Sequence, residues 1–521
     1  MARMAKVVEL PSIAKIDKSQ GKISAQLTQA LREAVQSGDL QPGDPLPSSR
    51  ELAQTLEVAR GTVIEAYDQL LAEGVFSSQA RTGTYVSHAL TKKTVLESSQ
   101  KETISSSITL TKSALCYAEV LKEFKPLPHA PFAVSVPIAR TQPSDIWRKF
   151  GNKFRSRGAG VPSGYGEPQG VLSLRIAIAD YVRRSRSVHC EPEQIVITPG
   201  IQQADYVRRS RSVHCEPEQI VITPGIQQAL YICSQILFEA KDEVWIEDPA
   251  YRGTTAIFEH AVKNIRTVRV PVDEEGIQVE TGIKLSKHAR AAFVTPSHQY
   301  PLGMPMSLAR RTALLAWAKQ QNAWIIEDDY DSELRYNGQP FPSLQGMAPN
   351  QVIYLGTFSK VLFPSLRLGY AVLPKELVAP FCGLRVLIDR HPPAADQHVL
   401  AAFIQEGYLE RHIRRTRHVY AEVRQYIIGL IEKHIPQELA WLQPGDQGMH
   451  MVLWLAHHIN DIDVASSAVD AGIAVKAISP TFSKEQQRPG LIVGLGDFEP
   501  EQMQQAIKKL SIIIQQHDKP S

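Results

Sequence analysis

Residues Val352–Tyr370 read VIYLGTFSKVLFPSLRLGY. The opening run Val352–Leu355 is short and apolar, the signature of a strand buried on both faces. Gly356 breaks it, Thr357 and Ser359 bring hydroxyls, Lys360 follows at once, and Arg367 comes seven residues later. Similar runs occur at Ile220–Ile222, Glu243–Ile246, Ala291–Val294 and Ala323–Ile326, and helical stretches separate them. Short buried strands alternating with helices from about residue 130 predict an α/β domain with a mainly parallel sheet. Beyond about residue 400 a smaller α+β portion is expected, with strands near Met449–Leu455 and Gly490–Gly494.

The chain has 521 residues, which at about 150 per domain suggests roughly three folding units. Apolar residues make up 43% and charged residues 21%, the balance of a globular protein with sizeable cores. Net charge is 57 − 54 = +3, too near neutrality to name a partner. The N-terminal apolar stretch Val7–Ala14 is broken by Glu9 and Pro11, so no secretory core is expected. No run of about 18 uncharged apolar residues occurs, which argues against a membrane span. Five cysteines, an odd number without a C-x-x-C pair, argue against a disulfide framework and a zinc site. A multidomain cytosolic protein without a metal is the expectation.

Ala179–Gln203 reads ADYVRRSRSVHCEPEQIVITPGIQQ, and Ala204–Gln228 repeats all 25 residues unchanged. Two copies are too few for a stacked array, and identity shows no adaptation to separate surroundings. The repeat is a segmental duplication in a parent chain of 521 − 25 = 496 residues. Cys190 and Cys215 are therefore one cysteine written twice. The copies offer two candidate anion-binding turns, Gly200-Ile201-Gln202 and Gly225-Ile226-Gln227. Only the second runs on into ALYICSQILFEA and then EDPAY, so continuity favours it. The first copy is expected to be extruded as a helix and strand with no slot in the sheet. A close-packed interior has no room for it, whereas a longer surface loop costs little entropy.

Residues 20–88 have a different rhythm. Ile23, Leu27, Leu31 and Val35 mark an amphipathic helix, stopped by Gly38 and Pro42-Gly43. Ser48 or Ser49 can cap a second helix carrying Leu52, Ala53 and Leu56. After a turn over Glu57–Gly61, a third helix is expected from Thr62, with Val63, Tyr67, Leu70 and Leu71 inward. Phe76–Val86 then reads as a hairpin turned at Arg81-Thr82-Gly83. This is the plan of a winged helix-turn-helix. In such a unit the third helix enters the major groove, which puts Arg60, Gly61 and Thr62 near bases or phosphates and Arg50 near the backbone. Arg81, Thr82 and Thr84 of the hairpin lie along the adjacent groove. Residues 1–88 carry nine Lys/Arg against ten Asp/Glu, so no broad basic face supports this, and a helical protein-interaction module is the competing reading. The Ser-, Thr- and Lys-rich stretch after His88 has linker composition.

In the α/β portion, Asp328 and Tyr330 follow a strand in IIEDDYDSE. Together with Lys360 and Arg367 they form the set that pyridoxal 5′-phosphate requires. A lysine amine bonds the aldehyde, and a carboxylate keeps the ring nitrogen protonated. A phenol touches the ring hydroxyl; hydroxyls, an arginine and helix N-terminal amides take the phosphate. Taken singly, Lys360 reads as a surface charge, EDDYDSE as an acidic turn or metal-binding loop, and TPGIQQ as a helix start. Their order along one domain gives them weight.

The string GDLQPGDPLPSSRELAQTLEVARGTVIEAYDQLLAEGVFSSQARTGTYV resembles the DNA-binding domain of GntR-type bacterial regulators, with L-P-S-x-R-E-L-A and R-x-T-V elements. SGYGEPQG, LRIAIADYV, ITPGIQQAL, EDPAYRG, TPSHQYPLG, RRTALLAWA, IIEDDYDSELRY and the stretch quoted first resemble the aminotransferase-like domain of fold-type I enzymes. Together they are similar to the MocR subfamily of GntR regulators. The resemblance implies a winged helix over 20–88 after an N-terminal arm over 1–19, a linker over 89–130, and a PLP-binding aminotransferase-like domain over 131–515. It implies Lys360 as the cofactor-bonding lysine, Asp328 as partner of the ring nitrogen and Tyr330 of the ring hydroxyl. Arg367, Thr357, Ser359, Ile226 and Gln227 would hold the phosphate. Tyr251 would cover the ring, a packed core tyrosine being the other reading.

Three departures from the family pattern stand out. Arg81 sits where the wing often has Gly. Tyr300 precedes Pro301 where the enzymes place Asn, leaving Gln299 or His298 to touch the ring hydroxyl. GLIVGLG lacks the arginine with which transaminases clamp a substrate carboxylate, and Arg488 nearby reads as a loop charge. The expected function is a PLP-dependent transcription regulator of the bacterial cytoplasm. It would bind promoter DNA as a head-to-tail homodimer and sense PLP or an amine or amino-acid effector. The alternatives are an active aminotransferase with an appended DNA-binding domain, and an allele impaired by the duplication.

Overall fold

The computed structural model describes residues 23–79, 83–88, 111–123, 128–155, 165–184, 215–261, 264–336, 341–483, 487–496 and 498–518. The chain divides into two units, Met1–Thr109 and Leu110–Ser521.

In the first unit, helix α1 spans Ile23–Ser37, α2 Ser49–Thr55 and α3 Arg60–Ala72, and strands β1 (Phe76–Gln79) and β2 (Gly83–Val86) pair antiparallel. Ser48, not Ser49, caps α2. Its hydroxyl accepts from Glu51 N while the Glu51 carboxylate accepts from Ser48 N, a reciprocal capping box worth about 1 kcal/mol. The third helix begins at Arg60, two residues before the expected Thr62, because the Ala59 carbonyl already accepts from Thr62 N. Its inward face is Val63, Ala66, Tyr67 and Leu70, with Leu71 half-buried. The Tyr67 hydroxyl donates to Pro47 O at 2.9 Å and locks α3 to the entry of α2. Leu27, Leu31, Leu52, Val63, Leu70, Phe76 and Val86 close the core.

The second unit contains a helix, α4 (Lys112–Glu123), inside the stretch read as linker. Helices α5 (Ser144–Arg155) and α6 (Leu172–Arg184) follow, then β3 (Ile220–Thr223), α7 (Ile226–Ile236) and β4 (Glu243–Asp248). Next come β5 (Arg266–Asp273), β6 (Gly276–Ile277), β7 (Ala291–Val294), β8 (Trp324–Asp329), β9 (Val352–Thr357) and β10 (Gly369–Val372). They form one eight-stranded sheet in the order β3-β10-β9-β8-β7-β4-β5-β6. Its middle, β9-β8-β7-β4-β5, is parallel, and β10 and β6 pair antiparallel. Ile325 and Ile326 are both fully buried yet belong to different clusters, one on each face of the sheet. Burial on both faces explains the unbroken apolar runs.

The duplicated segment is used unequally. Residues 179–184 of the first copy complete α6, and residues 216–228 of the second supply β3 and the start of α7. The first copy's helix is therefore not extruded as expected: Ala179, Tyr181 and Val182 are buried in a core cluster at the end of α6. The extrusion expected of its strand concerns residues outside those described.

A second sheet near the C-terminus comprises β11 (Ala440–Leu442), β12 (His450–Leu455), β13 (Lys476–Ala477) and β14 (Gly490–Gly494), ordered β11-β12-β14-β13 and antiparallel throughout. One face packs on the helices Tyr408–His434 and Pro500–Gln516 through Met451, Leu453, Leu491 and Val493. From the other, Val452, Trp454 and Ile492 pack against Leu302 and Tyr300 of the turn after β7. That contact draws the small sheet toward the ends of the large one.

Candidate functional site

Three strands of the parallel run, β9, β8 and, one strand further on, β4, end on the same side of the sheet and deliver the polar groups. Strand β8 brings Asp328 near its end, with Tyr330 and Asp331 just beyond; β9 ends at Thr357 and leads to Ser359 and Lys360; β4 leads through Asp248 to Tyr251. Asp328 is 7% exposed, and its Oδ1 has no hydrogen-bond partner. Burial raises its pKa to about 8; Asp329 pushes the same way and Lys360 opposes. Lys360 is half-buried. Burial lowers its pKa to about 8 against the pull of Asp331 and Asp328, with Lys476 and Arg367 lowering it further. Burial thus disfavours the charged form of both groups.

Arg367 has a left-handed backbone, φ 49°, and its Nη2 donates to Pro224 O at 2.9 Å. The same nitrogen lies 3.4 Å from where a Cβ on Gly225 would sit. Gly225, at φ 91°, is the N-cap of α7 and supplies no side chain to its free amides. Gly369 faces it: a Cβ there would come within 2.9 Å of Gly225 Cα. This leaves the first amides of α7, at Ile226 and Gln227, beside a guanidinium, an arrangement suited to an anion. Gln227 Nε2 donates to Gly253 O at 3.0 Å. The buried Ser359 hydroxyl has no partner, and the Thr357 hydroxyl accepts from Ser359 N at 3.1 Å.

An aromatic wall flanks these groups. Tyr251 stands edge-on to Tyr300 at 5.5 Å, and Tyr300 to Tyr330 at 6.0 Å. Tyr251 is 38% exposed, so it is not a packed core tyrosine. A Cβ at Gly253 would overlap its ring. Burial raises the Tyr251 pKa, and Asp328 and Arg367 both act on it electrostatically. His298 Nδ1 donates to the Asp331 carboxylate at 2.9 Å and lies 3.0 Å from the Tyr330 hydroxyl. Gln299 turns the other way: its amide nitrogen donates to Pro249 O and Glu247, and its carbonyl accepts from Leu302 N. Of the two candidates for the missing asparagine, His298 meets Tyr330. Asp331, which orients it, went unread in the sequence. Glu247, fully buried and pushed by burial up to about 7, accepts from the Thr295 hydroxyl at 2.6 Å; its place inside a strand gave no sign of this. The stretch Gly490–Gly494 lies buried in β14, and a Cβ at Gly494 would overlap the Ala133 carbonyl.

In the first unit, Arg50, Arg60 and Gly61 are exposed and Thr62 is half-buried. A Cβ on Gly61 would meet nothing within 4 Å. Arg60 Nε donates to Ser49 Oγ at 3.3 Å, which ties the start of α3 to α2. Thr84 lies in β2, half-buried; Arg81 and Thr82 fall outside the described residues. Among the described residues no helix is long and apolar enough to cross a membrane, and no His/Cys/Asp/Glu group could hold a metal ion.

Two family models match. Bacterial regulatory proteins of the gntR family match residues 23–86, and aminotransferase class I and II matches residues 202–488, more than half the chain. The HTH-type pyridoxine biosynthesis transcriptional regulator PdxR of Corynebacterium glutamicum is 32% identical over 94% of this chain and 95% of its own. The probable rhizopine catabolism regulatory protein MocR of Rhizobium meliloti is also 32% identical, over 93% of this chain and 92% of its own. The chain belongs to the MocR subfamily of GntR-type regulators. It is a DNA-binding transcription regulator whose second unit has the fold-type I aminotransferase architecture. Two solved structures share that fold with this MocR-type chain. LysN, the α-aminoadipate aminotransferase of Thermus thermophilus, aligns at TM-score 0.65 and 23% identity over 78% of this chain and 97% of its own. The kynurenine aminotransferase of Pyrococcus horikoshii aligns at TM-score 0.65 and 24% identity over 79% and 98%.

Proposed function

We propose that this regulator holds pyridoxal phosphate at Lys360 and uses its occupancy, or reaction with an amine or amino-acid effector, to set its affinity for promoter DNA. The observation that carries the reading is a pair of buried polar atoms, Asp328 Oδ1 and Ser359 Oγ, left without partners beside Lys360 and Arg367. Such atoms cost free energy unless a ligand completes them. The donor set fits this cofactor. Asp328 accepts from a protonated ring nitrogen, Tyr330 held by His298 meets the ring hydroxyl, and Tyr251 covers the ring. Ser359, Thr357, Arg367 and the amides of Ile226 and Gln227 take the phosphate. When bound, pyridoxal phosphate supplies an aldehyde for an amine and a ring that withdraws electrons. Lys360 suits such capture because burial brings its free-base form within reach of neutral pH.

Sensing is favoured over turnover. No arginine stands in Gly490–Gly494, and at Gly494 backbone occupies the space a side chain would need. On the DNA side, Arg50, Arg60, Gly61, Thr62 and Thr84, with Arg81 and Thr82, form the proposed contact set. The acting species is proposed to be a homodimer in the bacterial cytoplasm. Borohydride reduction of the loaded protein followed by peptide mapping tests the site: label is expected on Lys360, and label elsewhere or none refutes it. Incubation with amino acids and 2-oxo acids separates sensor from enzyme, since repeated turnover would establish the latter.

A further inference from the structure

The small sheet places one cation toward this site that the cofactor scheme leaves unused. Lys476 lies on β13 directly opposite Ile492 of β14. Residues opposite one another in an antiparallel pair share a face, and Ile492 packs with Leu302, Val452, Trp454 and Tyr300. Val475, one residue earlier, packs on the opposite face with the helices. Lys476 therefore belongs to the face turned toward Tyr300, whose ring contacts Tyr251 and Tyr330. Its side chain is exposed and makes no hydrogen bond or ion pair with any described residue. Its charge is felt at Lys360, where it opposes protonation. The carboxylates Asp331 and Asp328 act on Lys360, whereas Lys476 has no counter-ion among the described residues and is the cation left to receive an anion.

We propose that Lys476 receives the anionic group of a small amine ligand bound at Lys360, so that the site prefers amino acids to plain amines. The inference rests on the cofactor site proposed above and adds the class of effector it takes. Lysine suits the role because its ammonium, on a flexible stem, can follow ligands of more than one length. Strand β14 offers no competing cation in Gly490–Gly494, and Arg488 just before it is taken up over the Trp454 ring at 4.0 Å. Partial desolvation lowers the Lys476 pKa, as expected of an ammonium standing in a mouth without a partner.

The test uses the full chain loaded with pyridoxal phosphate and isothermal calorimetry with two pairs in which a methyl replaces the carboxylate, L-alanine against isopropylamine and β-alanine against propylamine. At least one carboxylate-bearing member is expected to bind about tenfold or more tightly than its partner, the worth of one charge-assisted hydrogen bond. Lys476→Gln should abolish that ratio, Lys476→Arg should retain it, and Lys476→Glu should reverse it. Cofactor content is read in every variant from the visible absorbance band. A loaded wild-type protein without a carboxylate preference, or an unchanged ratio in Lys476→Gln, overturns the inference and leaves the cofactor reading standing. A wild-type protein that takes up no cofactor refutes that reading, and the inference falls with it.

Discussion

Replacing Asp328 by Asn should stabilise the empty protein and weaken its hold on the cofactor. Asp328 is buried, its Oδ1 is unpartnered, and its pKa is raised from the usual 3.8 to about 8. The folded protein keeps a proton there that the unfolded chain releases above about pH 4. Stability therefore falls as pH rises from about 4 to about 8, and the penalty is complete above 8. At ~1.4 kcal/mol per pH unit the ceiling on that penalty is roughly 6 kcal/mol. Water entry and side-chain relaxation leave about 2 kcal/mol, the ordinary size for a buried polar group without a partner. Lys360 relieves a penalty of its own only above about 8 and is common to both proteins, so the difference between variant and wild type is read at each pH. Asn carries no charge, so Asp328→Asn should match the wild type near pH 5 and exceed it by about 2 kcal/mol near pH 9. All six tryptophans lie beyond residue 110, so urea unfolding followed by tryptophan fluorescence reports on the second unit alone. The same substitution removes the proposed acceptor for a protonated ring nitrogen and should weaken pyridoxal phosphate binding roughly 10- to 100-fold. Equal or lower stability at pH 9 would show that Asp328 carries no such penalty, and undiminished affinity would remove it from the ring nitrogen.

Arg367→Ala should lower affinity for pyridoxal phosphate about 10-fold or more and leave that for unphosphorylated pyridoxal nearly unchanged; equal losses for both would remove Arg367 from the phosphate site. Arg60→Ala should weaken promoter binding and reduce the slope of log affinity against log salt by about one, read by fluorescence anisotropy at several salt concentrations. Deleting residues 179–203 should tighten cofactor binding, because the chain then joins α6 to β3 without the additional 25 residues. Equal cofactor affinity in both proteins would show that the duplication is silent.

What could be read from the sequence was what is local. The stripe Leu27–Leu31, the cap Ser48 and the apolar runs of β4, β7, β8 and β9 announce themselves because their neighbours in sequence are also their structural context. Strand β5, RTVRVPVD, escaped because most of its residues are only partly buried and charges interrupt its alternation. Strand β10 is four residues long and borrows its place from pairing with β3 and β9. The start of α3 was misplaced because Ala59 caps it through backbone alone. Within the site, Ser359, Lys360 and Arg367 fall within nine residues after β9, and Asp328 and Tyr330 within three at the end of β8, so each group is visible as a motif. The contact of His298 with Tyr330 spans 32 residues, and Lys476 reaches the site only through a sheet whose register no short motif records.

Occupancy at Lys360 is proposed to be communicated to DNA. An effector can do this only by binding one arrangement of the protein better than another, so removing the amine should uncouple the two. The decisive measurement is the affinity of wild type and Lys360→Ala for the gene's own upstream DNA, each with and without saturating pyridoxal phosphate. The wild type should shift its affinity and Lys360→Ala should bind DNA without responding; an equal response in both would show that Lys360 does not link the cofactor to DNA.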